Sequence, residues 1–431
     1  MLIKNATIIT QNENRKIIPR GFIRVENGSV VAVRDGDCTG DFSEEEIIDA
    51  SGYAVSPGFI NAHVHLGETI FIDFTRSCHD LETYLALTNR ISSVSRVIEN
   101  ERRAICDYSI LQLIKNGTTT IAGGRTNESS EAFGIRNVSG YMLMQSSKLG
   151  KFSQDIESQF ETLCERIDQS LTRPALFIHS LGTVTEEILS IARDLKKKHS
   201  DLLIMAHVAE TKKVEAEAKK RFNLTSVQTL QGYGLLDEQS LLVHGNNLSS
   251  EDIPLIRHTG ASLVHCLSSN LRVVDSVADI RSLIQMGIPV SIATDGVATA
   301  GTFSVLSEAR RCYLYHNKSR EKQNISAQEI LDMITINPAK ALGMFDVIGS
   351  IESGKKADFV FLKAPLYSTS QVINDLLSDN SMVVEGVMVG GKKLLWKNKS
   401  LVEREKEIVD TFFRVVENVR ADIMRAHLSF E

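Results

Sequence analysis

Pro57-Gly58-Phe59-Ile60-Asn61-Ala62-His63-Val64-His65 is a short apolar run that ends on two histidines. Seven more runs of the same texture follow it: TTTIAGG (118–124), NVSGYMLMQ (137–145), ALFIHS (175–180), LLIMAH (202–207), SLLVHG (240–245), ASLVHC (261–266) and PVSIATDG (289–296). Near-continuous apolar runs of this length mark strands buried on both faces. Amphipathic helical stretches separate several of them, among them 184–200, 214–222 and 278–287, and a first helix falls within 79–116. Eight strands, most followed by a helix, is the count of a (β/α)8 barrel. The expected fold class is therefore α/β, with a TIM-type barrel over 57–354.

Outward from the barrel the texture changes. Residues 1–56 read as short strands with turns, and Asn27-Gly28 between alternating apolar positions signals a hairpin. Beyond the last barrel strand, 326–344 is helical. The pattern then returns to strands at KADFVFLKA (356–364) and VVEGVMVGGKKLLWKN (383–398), with Gly390-Gly391 as a second turn. Strands at both ends predict one small composite β-sandwich domain formed from 1–56 and 355–400. A charged amphipathic helix is expected within 401–431, at about 401–428.

A chain of 431 residues is long enough for one large domain and a satellite. The formal charge of −6 argues against a nucleic-acid partner, which calls for a basic face. No run approaches the roughly 20 apolar residues of a membrane helix. The start, MLIKNATIIT, reads as a first strand and not as a signal peptide. Six cysteines without CxxC spacing suit reduced thiols and a cytoplasmic setting.

The ends of the apolar runs hold the chemistry. On a strand, residues i and i+2 point to one side, so His63 and His65 can reach one ion. Taken alone the pair would fit satisfied surface histidines near a strand end better than a metal site. His207, His244, His265, His179 and Asp295 also lie at or just beyond the ends of such runs. These are the ends where barrel enzymes place their sites. Neutral imidazoles with one carboxylate suit zinc or iron(II).

In this order PGFINAHVHLGE, HVAE, LVHG, HCLSSN and TDG resemble the amidohydrolase superfamily. The branch is that of cytosine and guanine deaminases, adenosylhomocysteine-type deaminases and triazine hydrolases. NPAKALGMFDVIGSIESGKKADFVFL (337–362) resembles the superfamily's return to its terminal β-domain. The resemblance implies that His63, His65, His207 and Asp295 bind one divalent metal ion, zinc or iron(II). It implies that His244 orients the attacking water and the reacting carbon, and that Asp295 also acts as a base. Glu210 would carry the proton, although a carboxylate at a helix start is also favoured by the helix dipole alone. No lysine ends the fourth strand, ALFIHSLG, which favours a mononuclear site.

His179, Ser269 and Asn270 match positions where relatives meet the substrate, although Ser269-Asn270 also reads as loop and cap chemistry. Glu68 stands three residues past His65, where deaminases of neutral rings often carry an amide or apolar residue. A carboxylate there favours a substrate with an amine, amidine or guanidine-like group. Leu181 and Leu267 replace prolines usual in relatives, so the loops around the pocket are expected to differ.

The implied activity is hydrolytic deamination or deimination of a small nitrogen-rich molecule, with release of ammonia. The same site would also serve dechlorination or cleavage of an amide or cyclic amide, and a catalytically silent binding relative is the third reading. A homodimer through the C-terminal helix is open. His79, His199, His258, His316 and His427 read as structural or exposed.

Overall fold

A computed structural model describes residues 1–38, 45–144, 155–318, 324–363, 371–378 and 382–426. Five strands open the chain: β1 (Leu2–Ile9), β2 (Ile17–Glu26), β3 (Ser29–Asp35), β4 (Ile47–Asp49) and β5 (Tyr53–Pro57). Eight more follow: β6 (Phe59–Val64), β7 (Thr118–Gly124), β8 (Arg136–Leu143), β9 (Thr172–Ile178), β10 (Leu203–Val208), β11 (Ser240–His244), β12 (Ser262–His265) and β13 (Val290–Ile292). These eight pair in parallel and in sequence order. The sheet closes on itself where Asp295 N donates to the His63 carbonyl at 3.0 Å and Val64 bridges Asp295. That is the TIM-type barrel.

Strand alternation sorts its side chains. Ala175, Phe177, Leu203, Met205, Leu241, Val243 and Val264 fill the interior, while their neighbours Leu176, Ile178, Ile204, Leu242 and Leu263 face the helices. The outer helices form for local reasons as well. Helix Glu186–Lys198 starts at Thr185, whose side chain accepts from Ile188 N, carries acids in its first turn and lysines in its last, and buries Ile188, Leu189, Ala192 and Leu195. The single helix expected over 326–344 is two, Ala327–Asp332 and Ile336–Ala341. Pro338 lies in the first turn of the second, where its missing N–H costs nothing, but it could not continue a helix from before. The first helix expected within 79–116 is also two, Leu81–Val94 and Glu99–Lys115.

Four strands complete the chain: β14 (Phe359–Lys363), β15 (Val383–Val389), β16 (Lys392–Trp396) and β17 (Lys399–Ser400). They join the opening five in one nine-stranded mixed sheet, because β14 pairs antiparallel with β5. The two ends of this sheet meet over a shared core of Ile3, Ile8, Ile23, Phe359, Phe361 and Met388. A Cβ on Gly28 would stand 2.5 Å from the Gly390 carbonyl, so the two hairpin turns touch only because Gly28 has no side chain. Arg136 at the start of β8 ties this sheet to the barrel through a two-pronged buried pair with Asp358, at 2.7 and 3.1 Å.

The last helix, Glu405–Arg425, lies on Glu99–Lys115, with Tyr108 and Phe412 stacked at 3.9 Å. Its buried face, including Val415, Val416 and Val419, thus packs within its own chain. No helix among the described residues is long and apolar enough to cross a membrane.

Candidate metal centre and active site

Four side chains converge at the mouth of the barrel, on the C-terminal ends of its strands. His207 follows the inward phase of β10 after Leu203 and Met205, and Asp295 is two residues beyond the inward-facing Ala293. His63 and His65 arrive differently. Ile60 and Ala62 face the interior, yet Val64 belongs to an outer cluster, so the phase flips between them. The cause is an irregularity in the β6–β7 pairing between Asn61 and Val64, where three steps on β6 match two on β7. Such a bulge re-aims side chains, and here it turns both histidines inward.

His63 Nε2 lies 3.0 Å from His65 Nε2 and 3.1 Å from His207 Nε2. Asp295 Oδ1 stands 3.4 Å from His63 Nε2 and 3.3 Å from His65 Nε2. One donor atom from each of the four falls within 4.8 Å of all the others. Ligands about 2.0–2.1 Å from a tetrahedral ion would stand ~3.3 Å apart, so the spacing fits zinc. Three ring nitrogens facing one another have few protons to share, and a cation satisfies all of them.

Electrostatics agree. Burial lowers His63 to about 4 and pushes His207 well below the usual histidine range, the neutral form a metal needs. At His65 burial pulls the same way, but Glu68 and Asp295 outweigh it and lift the ring to about 9. The acids around His65 call for positive charge at this point.

Partners fix each ring. His207 Nδ1 donates to the His179 carbonyl at 2.7 Å, leaving Nε2 as the lone-pair donor. Ser269 Oγ donates to Asp295 Oδ2 at 2.6 Å. His244 would point outward by alternation after Val243. Its backbone is left-handed instead, with φ 76°, and its ring lies 5.1 Å from His207. Asn270 donates its amide to Asn246 Oδ1, so its own oxygen faces His244 Nδ1 at 2.9 Å. His244 Nε2 is thereby free toward Glu210 Oε1, 3.5 Å away. Glu210 is buried, and burial raises its pKa. Asp295 and Ala209 also hold left-handed φ values of 63° and 46°, a concentration of strained backbone at one place.

Glu68 sits half-buried at the rim, its Oε1 3.8 Å from His65 Nδ1, and Tyr84 donates to its Oε2 at 2.6 Å. Gly296 leaves room for it, since a Cβ there would lie 2.2 Å from Glu68 Oε2. A cavity of about 720 Å³ opens onto His65 and Glu68. A larger crevice of about 1100 Å³ lies at the other end of the barrel, around Arg136, Thr172, Ser262 and Pro289, and holds none of the converging donors.

Of the residues expected at the site, His63, His65, His207, Asp295, His244, Glu210, Glu68 and His179 are together at the mouth. His179 has its ring 5.4 Å from His207, with Nδ1 buried and without a hydrogen-bond partner among the described residues. Ser269 and Asn270, expected at the substrate, have their side chains engaged by Asp295 and His244. His265 does not join the group: it points outward, one residue out of phase with Val264, and meets His316 Nε2 at 3.0 Å. His79 is exposed, and His427 lies outside the described residues. Sequence reasoning missed Tyr84, Asn246 and Asn247. The two asparagines hold the Glu210 carbonyl at 3.2 and 3.1 Å. Their only signal was polarity just after His244, which a turn would show equally.

Comparison with known proteins defines the class. The model of the amidohydrolase family matches residues 54–394, and the chain belongs to that family. It is 28% identical to a 5-methylthioadenosine/S-adenosylhomocysteine deaminase of Pyrococcus furiosus, over 97% of this chain and 100% of that one. An adenosine deaminase from Xanthomonas campestris with bound zinc shares the fold at a TM-score of 0.84 and 22% identity, covering 97% of this chain and 98% of that chain. Atrazine chlorohydrolase from Arthrobacter aurescens, in complex with zinc, does so at 0.87 and 20%, covering 96% and 99%. With its cluster of three histidines and an aspartate, the chain is a metal-dependent, deaminase-like hydrolase.

Proposed function

We propose that this enzyme hydrolyses a C–N bond at an amidine-like carbon of a small nitrogen-rich substrate bearing a cationic group. Water adds its oxygen to that carbon, the C–N bond breaks, and the nitrogen leaves as ammonia. His63, His65, His207 and Asp295 would hold one divalent ion, zinc first and iron(II) second. Such an ion supplies Lewis acidity and lowers the pKa of a water from 15.7 to about 7. Asp295, held by Ser269, accepts a proton as attack begins. His244, aimed by Asn270, orients the water and the reacting carbon. Glu210 protonates the departing nitrogen. Glu68 faces the cationic group.

One observation carries this reading above the others. Glu210 is a buried carboxyl whose proton affinity burial raises, 3.5 Å from His244 and beside the donor cluster. A departing amine needs that proton, whereas a departing chloride does not. This favours deamination over dechlorination. A complete donor set also argues against a silent relative.

The test is metal analysis of the purified protein with a screen of amino-heterocycles, amidines and formimino compounds for ammonia. Turnover without ammonia would hand the site to another bond. A protein without metal or turnover would be the silent relative. His207→Ala should lose both zinc and activity, and wild-type activity in it would overturn the ligand assignment.

A further inference from the structure

The cavity beside His65 carries a charge that the proposed chemistry leaves unused. Three arginines line it, Arg102, Arg103 and Arg125. Two of them are neutralised within the protein. Arg102 Nη1 reaches Glu99 Oε2 at 3.1 Å, while Arg103 pairs with Asp107 Oδ1 at 2.8 Å and Glu128 Oε2 at 3.2 Å.

Arg125 is different: its guanidinium has no hydrogen-bond or ion-pair partner among the described residues. It follows β7 directly, at the same end of the barrel as the metal cluster. Its backbone amide donates to the Gly140 carbonyl at 3.2 Å, and φ is held at 54°. Non-glycine residues rarely take that conformation, although Gly123 and Gly124 stand just before it.

The opposite charge lies at the reacting end. Glu68 sits there beside His65, fixed by Tyr84. Ile70, Phe71, Ile91, Ile105, Met142 and Val419 contribute apolar surface to the same cavity, beside polar groups. A carboxylate and a guanidinium unpaired among the described residues, in one cavity with apolar side chains in its lining, complement a zwitterion. A guanidinium is also the side chain best shaped to grip a carboxylate with two parallel hydrogen bonds.

We infer that Arg125 anchors a substrate carboxylate, and that the substrates are amidine- or guanidine-bearing carboxylic acids with a hydrocarbon spacer. This rests on the proposed deaminase reading and names its substrate class. For a guanidino acid, water and the guanidinium would give a ureido acid and ammonium.

The experiment is isothermal titration of the zinc-loaded Glu210→Gln protein, so that heats report binding and not turnover. The probes are ω-guanidino carboxylates of one to four methylenes and their primary-amide counterparts. At least one carboxylate should bind 10-fold or more tightly than its amide. Adding Arg125→Gln should bring that ratio to within twofold of one, and Arg125→Lys should restore part of it. Equal binding of acid and amide, binding of neither, or a ratio that survives Arg125→Gln would overturn the inference. Zinc content and ammonia release from amidines and formimino compounds that carry no carboxylate, measured on the wild type, separate the two levels. If both are present and the ratio is absent, only the carboxylate anchor fails; if both are absent, the deaminase reading fails with it.

Discussion

Replacing Ser269 with alanine removes one hydroxyl, the one whose Oγ donates to Asp295 Oδ2 at 2.6 Å. Ser269 is 2% exposed and Asp295 8%, so bulk water cannot take over the bond. A hydrogen bond to a charged acceptor is worth about 1.5–3 kcal/mol. At about 1.4 kcal/mol per factor of ten, its loss from a ligand carboxylate weakens metal binding roughly 10- to 150-fold. Outer partners of metal ligands typically contribute about 10–100-fold, in agreement. The assay is zinc competition against a chromophoric chelator, run beside KM and kcat for whichever substrate the ammonia screen returns. Ser269→Ala should lose zinc affinity by about 10–100-fold and keep KM in zinc excess. A zinc affinity within about twofold of wild type with a raised KM would refute this. Ser269 would then be a substrate contact, as its place in the sequence suggests.

Glu210→Gln should retain zinc and lower kcat by about 10²–10⁴, the range of a lost general acid, checked by metal analysis and steady-state kinetics. Burial raises the Glu210 pKa above 4.5 and the reaction uses its protonated form. The kcat/KM profile should therefore fall as pH rises through that raised value, and this limb should vanish in Glu210→Gln. Asp358→Ala should cost about 3–5 kcal/mol in chemical denaturation, because it leaves Arg136 charged and buried without its partner; an unchanged midpoint would contradict that. Glu68→Gln should raise KM for a cationic substrate about 10-fold or more, the scale of a charge-assisted bond, and far less for a neutral ring. Equal effects on both would remove its recognition role.

Much of the architecture was legible in the chain. Eight apolar runs with helices between them define a barrel, because strands covered on both faces must be apolar throughout. Strand alternation also suffices for His207, His179 and Asp295, each two residues beyond an inward-facing neighbour. The same rule excludes His265, one step out of phase with Val264.

Other parts of the site were decided only in three dimensions. His63 and His65 face the mouth because of a bulge in the β6–β7 pairing, and His244 because of a left-handed backbone. Neither feature has a residue signature, since both arise from how neighbouring strands register. His63 and His207 touch across 144 residues of chain, and such a distance along the sequence carries no information about contact. The partners of Ser269, Asn270 and Glu68 depend likewise on side chains that packing brings from other strands and helices. The type of donor is a property of the sequence. Its aim, its partners and its charge are properties of the closed barrel, because burial and neighbouring dipoles exist only once the chain has folded.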